Sequence, residues 1–132
     1  MMPNADVTAG VAGLLEWSEP IIFDRLLAAY RARLGAGPAA WNLARLHARA
    51  WKAAITGDMP RLETARWNLA DALGEHSLAI DHAVDADAEI MVELLDIVMA
   101  RFQRSMSTAR SYHLALMQLA GRLTPLTPPA VT

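Results

Sequence analysis

From Asp85 to Leu123 the chain repeats one stripe at steps of three and four. Its members are Ala88, Met91, Leu95, Val98, Phe102, Met106, Ala109, His113, Leu116, Ala120 and Leu123, apolar but for the histidine. Such spacing belongs to an α-helix with one buried face. No proline interrupts the run, and its only glycine, Gly121, comes at the end. The stripe stays in phase across the polar patch Gln103 to Thr108, which predicts one helix from about Asp87 to Ala120. At 1.5 Å per residue the whole stretch would run roughly 55 Å. A domain of this size has a radius of gyration of only about 14 Å. A protruding helix needs cover for its stripe, and a symmetric homodimer is the simplest source. The alternative is a break within the polar patch, which closes a bundle.

Upstream, the same spacing gives shorter helices. Residues 1–6 read as a frayed start. Val7 to Trp17 forms a weak helix, because Gly10 and Gly13 lower its propensity. Ser18-Glu19-Pro20 has the residues of a helix start: a capping hydroxyl, an acid and a first-turn proline. The helix it opens carries Phe23, Leu27, Tyr30 and Leu34 on one face. Gly35-Ala36-Gly37-Pro38 separates it from a helix over about 38–56, with Leu43, Leu46, Ala50 and Ala53 or Ala54 inward and Trp41 and Trp51 near the edges. Gly57 is expected to end that helix in a left-handed turn. Asp58 then caps the next helix, Pro60 lies in its first turn, and the two helices pack antiparallel. From Pro60 to about His82 the stripe is Leu62, Ala65, Leu69, Leu73, His76 and Ile80. Asp85 or Asp87 caps the final segment. The tail, 124–132, is proline-rich and reads as disordered. Strand alternation is absent. The reading is one all-α domain over 7–123, a bundle of five or six helices with a long C-terminal helix.

Composition removes several function classes. With no cysteine, thiolate metal sites, disulfides and cysteine nucleophiles are excluded. A net charge of −2 gives no basic field for nucleic acid. The most apolar run, Ile90 to Ala100, contains Glu93 and Asp96 and is far short of a membrane span. The first ten residues carry no positive charge before their apolar part and do not read as a secretory signal. A cytoplasmic location is expected.

Among chemistry-bearing residues, His76 stands first, because it falls on the inward stripe of its helix. A neutral imidazole there can bond a carbonyl through one nitrogen and offer the other to a metal or haem iron. His113 lies on the last helix's stripe and is expected to face His76. His47 flanks Leu46 and could face either way, and His82 is expected to meet the dipole at a helix end. Most acids sit opposite the apolar stripes. No nucleophile elbow or phosphate-cradling loop is present, so the chain reads as a non-enzyme.

The order of elements resembles the globin domain of bacterial globin-coupled sensors. RAWKAAITGD, with Trp51, Ile55 and Gly57, is similar to that family's step from its distal helix to its proximal one. ALGEHSLAIDH is similar to the segment that carries the haem-ligating histidine. The resemblance implies haem as cofactor, with its iron on His76, Tyr30 as a distal tyrosine and Trp51 beside the pocket. It also implies that the final stretch is two helices.

Two functions follow as expectations. One is a globin-like sensor or regulatory module, binding haem through His76 and signalling through a partner protein. The other is a ligand-free adaptor that dimerises through its last helix. Neither involves nucleic acid or a membrane.

Overall fold

The computed structural model describes residues 3–102 and 106–123, with the backbone alone for 3–12 and 108. Five helices follow in order: α1 (Pro3–Leu34), α2 (Pro38–Thr56), α3 (Met59–Glu75), α4 (Ile80–Arg101) and α5 (Met106–Leu123). Among the described residues there is no strand, so the all-α bundle stands. Helix α1 packs against α2, α4 and α5, while α3 packs on the side of α2. No described helix is long and apolar enough to cross a membrane. The disordered tail expected over 124–132 lies outside the described residues, as do residues 1–2 of the frayed start.

The turn between α2 and α3 forms as its residues dictate. Gly57 adopts φ 76° and ψ 17°, in the left-handed region. The Asp58 amide reaches back to the Ala53 carbonyl (2.9 Å) and that of Gly57 to Ala54 (3.2 Å). Asp58 then accepts from the Arg61 amide and caps α3. The Arg122 guanidinium of α5 donates to the Ala54 carbonyl and fastens α5 to this corner.

Four expectations are corrected. First, Ser18-Glu19-Pro20 does not start a helix, because α1 runs through it. Leu14, Ser18, Ile22, Leu26 and Tyr30 form one buried stripe across the site. An interior proline costs about 3 kcal/mol, but each buried large apolar side chain returns roughly 1.5–3 kcal/mol, and four flank this one. Ser18 donates to the Leu14 carbonyl instead of capping. The buried face is Ile22, Leu26 and Tyr30, one residue out of step with the expected Phe23 and Leu27.

Second, α3 ends at Glu75, not near His82. The Leu78 amide bonds the Leu73 carbonyl (2.9 Å) and the Ser77 amide bonds Gly74 (3.1 Å). This is the closure glycine usually makes, but Ser77 holds the left-handed position, with φ 56°. Third, α4 therefore starts at Ile80, with Ala79 as its cap. Neither Asp85 nor Asp87 caps it, and His82 lies in its first turn rather than at a helix C-terminus.

Fourth, the long C-terminal helix is two helices. Helix α4 ends at Arg101, Phe102 caps it, and α5 begins at Met106. Residues 103–105 of the expected break lie outside the described residues. Helix α5 folds back onto α1, α2 and α4. Trp17, Phe102 and Tyr112 hold the corner, with the Phe102 and Tyr112 ring centroids 4.5 Å apart. The buried rows are Ala83, Ala86, Asp87, Ile90, Leu94 and Val98 on α4, and Tyr112, Leu116, Leu119 and Leu123 on α5.

The strain at Ser77 gives a direct test. A non-glycine residue in this region pays about 1–2 kcal/mol, partly offset by glycine's larger loss of backbone entropy. Ser77 is exposed and its side chain would not be missed. Ser77→Gly should stabilise the protein by roughly 0.5–1 kcal/mol in urea melts, and a loss of stability would contradict this turn geometry.

Candidate functional site: a buried Tyr–His–Asp–Trp chain

Three helices bring polar side chains to one point in the core. Tyr30 comes from α1, His47 and Trp51 from α2, and Asp87 from α4. Tyr30 and His47 are 0% exposed, Trp51 is 1% and Asp87 is 7%. On α2, His47 lies four residues after Leu43 and four before Trp51, so all three share the buried face. On α4, Asp87 takes a stripe position between Ala83 and Ile90.

The four side chains form a continuous hydrogen-bond chain. The Tyr30 hydroxyl is 2.8 Å from His47 Nδ1. His47 Nε2 is 2.7 Å from Asp87 Oδ1. Trp51 Nε1 donates to the same oxygen at 2.7 Å. An indole nitrogen only donates and a carboxylate oxygen accepts. The consistent assignment places a proton on His47 Nε2, directed at Asp87, and leaves Nδ1 to accept from Tyr30. His82 borders the chain: its ring meets Tyr30 edge-on with centroids 5.7 Å apart, and its Nε2 lies 3.3 Å from the Ala29 carbonyl.

One end of the chain is unfinished. Asp87 Oδ2 is buried without a hydrogen-bond partner, and so are Nε and Nη2 of Arg66 on α3. Burial pulls the Arg66 guanidinium below its usual range, against the opposing charges of Asp87 and Glu63.

Hydroxyl, imidazole and carboxylate occur here in the order used by hydrolytic triads. The resemblance in chemistry goes no further, because Tyr30 and His47 have no exposed surface on which to meet a substrate. Burial, and then the charge of Asp87, push the Tyr30 phenol above its ordinary range. This sets a sign for pH dependence. In the unfolded chain the phenol ionises near pH 10, while in the fold it keeps its proton, so above that pH the unfolded state binds fewer protons. The contribution is whole below pH 10 and falls as pH rises beyond it. Tyr30→Phe should flatten this alkaline decline while costing about 1 kcal/mol at neutral pH, because His47 Nδ1 loses its donor. Denaturant melts across the alkaline range check both, and an unchanged alkaline slope would contradict the assignment.

Of the residues that the resemblance assigned to haem, two belong to the buried chain. Tyr30 and Trp51 are bonded to His47 and Asp87. His76 follows the last residue of α3, half-buried. His113, expected to face it, is exposed on α5. Among the described residues, no group of three or more histidines and carboxylates is placed to hold a metal. The sequence reading missed His47 and Asp87 as partners. A signal for His47 existed in its spacing from Leu43 and Trp51; Asp87 was hidden because a carboxylate interrupts the apolar count of its stripe.

The chain matches no family model, no curated protein and no solved structure with which it was compared.

Proposed function

We propose that this protein is a non-enzymatic helical regulatory module that works by self-association through the outer face of α4 and α5. The observation that carries the reading is where exposed apolar side chains collect. Val92 and Met99 on α4, and Met106, Leu114 and Met117 on α5, are all well exposed, Met106 at 79%. Val92 and Met99 are seven residues apart and share a face; Met106, His113 and Met117 share another. A groove of about 770 Å³ joins the two faces, with Met99, Met106, Ala109 and His113 in its walls. Clustered exposed apolar side chains on a small domain mark an interaction site. Methionines suit it, being unbranched and adaptable. A second copy presents the same patch about a two-fold axis.

Sedimentation velocity tests this. The wild-type protein should run as a dimer, and the double variant Met106→Glu/Met117→Glu as a monomer with an unchanged helical spectrum. A wild-type monomer at high concentration, or a dimer that survives both charges, would contradict the reading.

A further inference from the structure

A second cavity, of about 270 Å³, lies between α1 and α2, on elements that the proposed interface does not use. Leu15, Ile22, Phe23, Trp51 and Ile55 make its apolar lining. Its charged lining is lopsided, with Arg45, Arg49 and Lys52 against Glu19 alone. Helix α2, which supplies all three cations, contains no acidic residue.

Arg45 is the most informative of these residues. Its Nη2 donates to Asn42 Oδ1 at 3.1 Å, and its guanidinium lies 5.6 Å from the centre of the Trp41 ring. These contacts hold the side chain in place. Its Nε is nevertheless buried without a hydrogen-bond partner. Buried donors in native proteins are nearly always satisfied, by protein, water or ligand. Here a fixed cation lines an apolar cleft, its Nε turned away from solvent. Apolar walls with a few placed polar groups are the usual make-up of a small-molecule site.

We propose that the α1–α2 cleft binds a small anionic amphiphile, a carboxylate with a short alkyl or aromatic body. Arg45 anchors the carboxylate with the field of Arg49 and Lys52 behind it, and the body lies against Ile22, Phe23 and Trp51. Trp51 links this cleft to the core, since its indole N–H is fixed on Asp87. A bound molecule therefore touches the chain that ties α1, α2 and α4 together. The proposal stands apart from self-association, and either can fail while the other holds.

Calorimetric titration of the full chain with octanoate tests it, with 1-octanol as the neutral control of equal length. Octanoate should bind saturably, and octanol at least about tenfold more weakly. Arg45→Met should weaken octanoate by about tenfold or more, and Ala48→Phe, which fills the cleft from its lining, should abolish binding. In proton–nitrogen spectra the Trp51 indole resonance should move with octanoate. Absence of saturable binding, equal affinity for octanol, or full affinity in a folded Ala48→Phe protein would overturn the proposal.

Discussion

Replacing Asp87 by alanine should cost roughly 2–6 kcal/mol of stability, because it takes the acceptor from two buried donors at once. Two donors, His47 Nε2–H and Trp51 Nε1–H, end on the single oxygen Oδ1. Alanine leaves both donors buried without that acceptor, and each stranded donor costs about 1–3 kcal/mol. Domains of this kind are stable by only about 5–15 kcal/mol, so the variant should sit close to unfolding at room temperature. Asp87→Asn keeps an acceptor oxygen of the same shape and should cost less than half as much. Combining Asp87→Leu with His47→Leu should cost less than the two single changes added together, since each then removes a partner the other no longer needs. Urea melts of the set decide the matter. An Asp87→Ala protein as stable as wild type would mean that the chain of bonds does not hold the helices together.

The second large effect is expected at a residue with no side chain. Gly13 lies in α1 where the Tyr112 hydroxyl of α5 comes against it, and a Cβ there would collide with that oxygen. Alanine normally improves a helix interior over glycine by about 1 kcal/mol. Here the clash reverses the sign, because Tyr112 is only 8% exposed and is packed between Trp17 and Phe102. Forcing it to shift should cost about 1–3 kcal/mol, the usual range for overpacking. Gly13→Ala should therefore lower the melting temperature, and adding Tyr112→Phe should restore most of it by removing the colliding oxygen. A gain in stability from Gly13→Ala alone would place α5 differently against α1.

Both effects depend on features that the sequence disclosed unevenly. The Gly57–Asp58–Pro60 turn was fully legible, because each residue has one dominant use at such a corner. Its counterpart at Ser77 was not, because serine in a left-handed conformation leaves no mark in the sequence. The helix was therefore carried on to His82. At Pro20 the local signal was real, but burial along Leu14, Ile22, Leu26 and Tyr30 outweighed it. On α4, Asp87 occupies a core position, and counting only apolar residues turns the first half of that stripe by one residue, while Val98 on α4 and Leu116 and Leu123 on α5 are buried as expected. His113 is expected inward beside Leu116, and the structure leaves it exposed, with Tyr112 buried in its place. Of the central chain, Tyr30 and Trp51 stand out in the sequence only through a resemblance that implies a different role, and the spacing of His47 alone is compatible with either face. What joins them is the pairing of residues 30, 47 and 87 across three helices, which spacing along the chain does not encode.

The most direct measurement of the central claim is a nitrogen-15 spectrum of the His47 imidazole and Trp51 indole, followed by hydrogen exchange. If Asp87 gathers both donors in a sealed core, His47 carries its proton on Nε2 with Nδ1 accepting, and both N–H protons exchange far more slowly than exposed ones. A His47 protonated on Nδ1 alone, or side-chain protons that exchange at the solvent rate, would contradict it.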